Sequence, residues 1–189
     1  MTFANEPTAI LAPLRRADGS ATFSQNGYTV IGSVNGPLEV QRRDELPEEA
    51  VVDVVVRPSA GVGALLQTAI LTLLSASMPL ATTFTSVILA LVSGTVVRNP
   101  SVHDIQSASS IHVLAFTAQG ALLVAESEGS FSMDDWNDVY EQGKKLCCGE
   151  PAAGPDEMQD VGEEKDGGMK AFVKAALEEK VESDLHWRD

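Results

Sequence analysis

Few residues in this chain combine the types and the spacing that chemistry needs. His103-Asp104, with Ser101 and Ser107 close by, holds the parts of a base, an orienting carboxylate and a nucleophile. Adjacent side chains seldom face one another, and neither serine has the context of a nucleophile elbow, so the stretch reads as a polar loop. Asp134-Asp135 offers two carboxylates for a metal or for acid–base work. The simpler reading is a first helical turn, where backbone N–H groups and the helix dipole stabilise acids. Cys147 and Cys148 are neighbours, which rarely close a ring together, and two thiols do not make a zinc site. With no Cys-x-x-Cys, the chain reads as intracellular and reduced. Its N-terminus lacks the charged-then-apolar pattern of a secretory leader. Arg42-Arg43 is the basic pair of a water-facing loop and the candidate contact for a nucleic acid. No catalytic residue, metal set or cofactor motif is expected.

The elements that must position these residues belong to one domain, since 189 residues give room for one respectable core. The formal charge is −14, and most of the excess acid lies from Glu126 onward. A free-standing nucleic-acid binder would show a basic face. If this chain meets RNA, an assembly must supply the positive surface.

Asn26-Gly27 joins the runs Ala21–Gln25 and Tyr28–Ser33, and that dipeptide is the strongest short signal for a two-residue hairpin. Pro37 belongs in a second turn. Leu38 and Val40, then Ala50–Val56, are expected to add two strands, giving a four-stranded meander around the charged loop 42–49. From Pro58 to Val97 there is no charged side chain. Such a run raises a membrane span, but Gln67, the many Ser and Thr residues and Pro79 argue for a core helix over Ala64–Met78 and a buried extended stretch over Thr82–Val97. Ile111–Phe116 and Ala121–Ala125 form a hairpin. Ser132 is a ready N-cap with Asp135 at the capping-box offset, and Met133, Trp136, Val139 and Tyr140 make the helix's apolar face. Residues 149–168 read as a flexible acidic linker. Beyond it, Met169, Phe172, Val173, Ala176, Leu177, Val181 and Leu185 share one stripe of a helix over 169–187, docked on its own domain or on a neighbour.

Ala17-Asp18-Gly19-Ser20-Ala21, followed by Gly36-Pro37-Leu38-Glu39-Val40, resembles the opening meander of the ribonuclease PH family, in the form carried by ring subunits of the eukaryotic RNA exosome. Leu65–Pro79 resembles the family's buried helix, which normally ends Ala-Leu-x-Asp-Ala-Gly-Ile-Pro. Here Ser75 stands for the Asp and Ser77 for the Gly. Glu128-Gly129-Ser130-Phe131-Ser132 is also worded as in the ring subunits. The resemblance implies an α+β, ribonuclease-PH-like (ribosomal protein S5 domain 2-like) domain over residues 14–148, with an incomplete first repeat and a C-terminal amphipathic helix.

In the family, several dozen residues separate the meander from the buried helix. Here Val62-Gly63 runs straight into Ala64, so the arginine-bearing helix and the Gly-Thr-Arg triplet that grip phosphate in active members are absent. Active members also use a pair of carboxylates, plausibly with a divalent metal. In the matching stretch, Val97–Asp104, Asp104 takes the second position and Arg98 or Asn99 the first. The resemblance therefore implies a scaffold without phosphorolysis. Its implied partners are other ribonuclease-PH-like ring subunits, paired in a hexameric ring, and RNA threading the channel toward a separate 3′→5′ nuclease. It implies rRNA maturation and mRNA turnover in nucleus, nucleolus and cytoplasm, with no membrane. Two rivals stay open: a residual phosphate-independent nuclease, and a shortened regulatory or non-functional variant that occupies a partner without closing a ring. A sheet face stripped of cover would make the isolated chain poorly soluble.

Overall fold

The first sheet is set by a turn that few residue pairs fill easily. In the computed structural model, which describes residues 6–39, 53–57, 62–149 and 168–185, Asn26 and Gly27 both take positive φ, 52° and 80°. That is the type I′ geometry whose twist matches paired strands. It joins β2 (Gly19–Gln25) to β3 (Tyr28–Val34). β1 (Thr8–Leu11) pairs antiparallel with the other edge of β2, completing the order β1-β2-β3. The sequence reading has no β1, whose four residues precede the expected domain start at residue 14.

The two further meander strands differ from expectation. Leu38 and residues 53–57 lie outside any strand, and Leu38, Val54, Val55 and Val56 are exposed. Val40, the loop with Arg42 and Arg43, and Ala50–Val52 fall outside the described residues. A valine run becomes a strand where a neighbouring strand and a packed face receive it. Among the described residues, β3 has no partner on its outer edge.

α1 (Val62–Ser75) carries no charge because it is enclosed, touching β2 and β3 on one side and the second sheet on the other. Its Ile70 and Leu71 are fully buried. The buried hydroxyls of Thr68 and Thr72 donate to the carbonyls of Ala64 and Thr68, each at 2.7 Å. The helix ends in a Schellman-type closure: Ser77 N–H donates to Leu74 O and Met78 N–H to Leu73 O, with Ser77 at φ 55°. No helix among the described residues is long and apolar enough to cross a membrane.

Thr82–Val97 is a hairpin rather than one extended stretch. β4 (Phe84–Val92) and β5 (Thr95–Arg98) meet at Ser93 and Gly94, φ 51° and 77°. After α2 (Val102–Ser107) come β6 (Ser110–Thr117) and β7 (Leu122–Gly129), and the second sheet is antiparallel in the order β5-β4-β6-β7. α2 replaces the polar loop expected around His103.

Two helices complete the molecule, α3 (Met133–Cys148) and α4 (Gly168–Leu185). α3 lays Val139 and Cys147 on Val87, Leu89, Leu114 and Phe116 of the second sheet, with Trp136 and Tyr140 packed beside them. Met133 departs from the expected apolar face and is 72% exposed. Burial pushes the Cys147 thiol up to about 12, which keeps it protonated and unreactive.

α4 folds back on its own domain, touching β1, β4, α1 and α3. Its Val173 joins Ala21, Phe23 and Leu71 in the first core, and Phe172 meets Phe23 edge-on at 6.1 Å. Val181 and Leu185, farther along, are exposed. The acidic stretch 150–167 lies outside the described residues. Its flanks are adjacent: a Cβ on Gly168 would stand 2.7 Å from the Gly149 nitrogen.

Candidate functional site

The opening motif is structural. Asp18 accepts from Gly36 N–H at 2.8 Å and closes the turn after β3. Gly19 presses on the end of α1, where a Cβ would meet Ala76 N at 2.6 Å and Thr72 O at 2.7 Å. Ser20 Oγ accepts from Leu14 N–H at 3.0 Å, its own N–H reaches Ser75 Oγ at 3.5 Å, and Ala21 is fully buried. Ser75, standing where the family has an acid, thus touches the meander.

The stretch matched to the family's acids is a joint between the two sheets. Arg98 ends β5 opposite Leu89. Asn99 donates its N–H to Ile88 O at 3.2 Å, and its carbonyl accepts from Asn26 Nδ2 at 2.7 Å. Asp104 belongs to a capping box: its Oδ2 accepts from Ser101 N–H at 2.9 Å and Ser101 Oγ at 2.7 Å, while its N–H donates to Ser101 Oγ. Those bonds hold the carboxyl below the usual range. Ser107 Oγ donates to the carbonyls of His103 and Asp104, so neither serine is poised against the imidazole as a nucleophile. Asp135 repeats the device with Ser132 at the start of α3, and Asp134 sits in the same first turn. Among the described residues, no group of three or more His, Cys, Asp or Glu is placed to hold a metal ion.

Beside that joint lies a cavity of 470 Å³ between the sheets. Gln25 and Asn26 reach it from β2 and its turn, Gln67 from α1, Ser86 from β4, and Glu126 and Glu128 stand at its exposed rim on β7. None of the described residues lining it is a Lys, Arg or His. The charged side chains of its described lining are those two carboxylates.

His112 escaped the sequence reading. It is fully buried in β6, with Nε2 2.9 Å from Ser110 Oγ and Nδ1 2.8 Å from Ser127 Oγ. Phe131 meets its ring edge-on at 4.8 Å, and Trp136 lies at 5.8 Å. Burial lowers its pKa below the usual value, partly offset by the Asp135 carboxylate. Ile111–Phe116 signals a strand, but the partner Ser127 lies on another strand and gives no local sign.

No family model matches the chain. It is 44% identical over 54 residues, 29% of this chain and 24% of the relative, to exosome complex component rrp46 of Schizosaccharomyces pombe. It is 43% identical over 49 residues, 26% of this chain and 22% of the relative, to exosome complex component RRP46 of Saccharomyces cerevisiae. The match thus spans less than a quarter of the length of either curated relative. Rice (Oryza sativa) Rrp46 superposes with a TM-score of 0.65 at 19% identity, covering 73% of this chain and 87% of that one. Cell-death-related nuclease 5 (CRN-5) of C. elegans gives 0.63 at 16% identity, covering 94% and 97%. At such identities the likeness is one of fold. The chain therefore has the α+β, ribonuclease-PH-like fold of Rrp46 and CRN-5, and one stretch of it is similar in sequence to the Rrp46 exosome components.

Proposed function

We propose that this chain is a non-catalytic subunit of an RNA exosome ring. It pairs with other ribonuclease-PH-like subunits in a hexameric ring whose channel leads RNA to a separate 3′→5′ nuclease. The observation that carries this reading is the 44% identity to a protein named as an exosome component, on a fold matching solved Rrp46. The absence of phosphorolysis is supported by the engaged Asp104, by Arg98 or Asn99 in place of a first acid, and by a cavity with no cation among its described lining residues. Assembly is supported by Leu122 and Leu123, exposed on the edge strand β7, and by exposed Val54–Val56. Arg42 and Arg43 are the RNA contacts of the assembled channel. The work is rRNA maturation and mRNA turnover, in nucleus, nucleolus and cytoplasm.

Co-expression with the other ring subunits followed by size-exclusion chromatography tests the proposal. Co-elution at the size of a full ring is the expected result. A stalled dimer would mark a shortened variant that occupies a partner without closing the ring. A second reading, a nuclease that needs no phosphate, is favoured by the fold likeness to CRN-5, whose name denotes a nuclease. It requires metal-dependent RNA cleavage by the purified chain that disappears in Asp104→Asn.

A further inference from the structure

The cavity between the sheets is lined by polar atoms that none of the described residues satisfies. Gln67 is 1% exposed, and its Oε1 accepts from Ser86 N–H at 3.1 Å. That bond fixes the amide's orientation, and leaves its Nε2 buried and without a partner. Asn26 is fixed in the opposite sense: Nδ2 donates to Asn99 O, and Oδ1 is left buried and unpartnered. Gln25 Nε2 is in the same state, and so, outside the lining, is Oδ1 of the Asn99 whose carbonyl Asn26 holds. Unsatisfied buried donors and acceptors are uncommon because each has given up its water for nothing. Here two donors, on Gln25 and Gln67, and one acceptor, on Asn26, line one cavity, whose volume falls within the range of small-molecule sites. Its remaining walls are largely apolar, with Val87, Ile88, Ile105, Ile111 and Val113 among them.

Charge narrows the ligand. The first turn of α1 lines the cavity with Gly63 and Ala64, and a helix N-terminus is worth about half a positive charge. Against it stand the carboxylates of Glu126 and Glu128, with no cationic residue among the described residues of the lining. An anion is disfavoured. A cation would find the carboxylates only at the exposed rim, leaving its inner end among amides and aliphatic side chains.

We propose that this cavity binds an uncharged planar ligand whose edge presents a hydrogen-bond acceptor beside a donor, as a primary amide or a nucleobase does. The acceptor meets Gln67 Nε2, the donor meets Asn26 Oδ1, and the flat faces lie against the aliphatic walls. The site does not rest on the ring reading, since every residue it uses belongs to this chain.

The test follows the side-chain amide resonances of Gln67 and Asn26 in the full ¹⁵N-labelled chain during titration with nicotinamide, uridine and uridine 5′-monophosphate. At least one uncharged probe should shift both amides saturably. Uridine alone assigns a nucleobase, nicotinamide alone a primary amide, and both the shared edge. The monophosphate should bind about tenfold more weakly than uridine because of the acidic rim, and Glu126→Gln/Glu128→Gln, on the exposed rim, should narrow that gap. Ile105→Trp, which fills the cavity from a half-buried position on the mostly exposed α2, should weaken any bound probe about tenfold at an unchanged melting temperature. No shift with either uncharged probe at millimolar concentration would show that water alone serves these amides, and would overturn the proposal. Tighter binding of the monophosphate than of uridine would overturn it equally. Should Ile105→Trp fail to fold, the rim variants decide the matter.

Discussion

Asp104 and Gly19 show how differently two sequence signals resolve in the folded chain. Asp104 has the type and position of a catalytic acid, yet its Oδ2 is taken up by Ser101 at the start of a six-residue helix. Gly19 has no chemistry, yet backbone atoms at 2.6 Å and 2.7 Å leave no room for a methyl group. Gly19→Ala should destabilise the fold by about 3 kcal/mol, because backbone cannot yield as a side-chain tip can; urea unfolding would measure it, and an unchanged midpoint would contradict the close approach. His112 makes the second prediction at this scale. The folded state keeps the imidazole neutral, with its pKa depressed below 6.5, while the unfolded chain takes up the proton near that value. The unfolded state therefore binds more protons as pH falls through 6.5, and stability should drop from pH 7 toward pH 5. His112→Gln, which keeps a partner for Ser127, should flatten that slope in pH-dependent urea melts.

At the scale of elements, the legible parts were those with strong local signals. Asn26-Gly27, Ser132 with Asp135, and the uncharged run of α1 each announce a turn, a cap or a buried helix, and the structure has all three. Ser93-Gly94 carried a turn signal of the same kind, and the long apolar run around it hid the break between β4 and β5. The strand expected at Val54–Val56 illustrates the opposite limit, since β propensity acts only through a partner, and partners are tertiary. The unpaired amides around the sheet-to-sheet cavity were illegible for a related reason. Gln67 lies far in sequence from Gln25 and Asn26, and nothing in their spacing brings them together. The end of α1 offers a prediction of its own. Ser77 occupies a left-handed position, φ 55°, where the resembling family has glycine. Ser77→Gly should stabilise the chain by about 1 kcal/mol, because only glycine is free of the Cβ penalty there. A loss of stability in thermal melts would show that the Ser77 side chain does more than tolerate its backbone.

For the molecule as a whole, the unit is two sheets with α1 between them, α3 covering the second and α4 returning to the first. Most of the stability comes from the two cores these helices close, one around Phe23 and Leu71 and the other around Leu89 and Phe116. Replacing residues 150–167 with a short Gly-Ser bridge should leave α4 seated and raise stability by about 1 kcal/mol, the loop-closure entropy saved by a shorter connection. Calorimetry on that variant would reveal a loss instead if the acidic stretch were needed to hold the helix.

The side-by-side placement of Gly149 and Gly168 makes α4 in effect a tethered ligand, held near its berth at millimolar local concentration. A free peptide of the same sequence must compete against that tether, so it should displace α4 only when the connection is cut. Inserting a protease site at the tether would therefore turn a permanent part of the fold into an exchangeable one, released on dilution and restored by adding the peptide back.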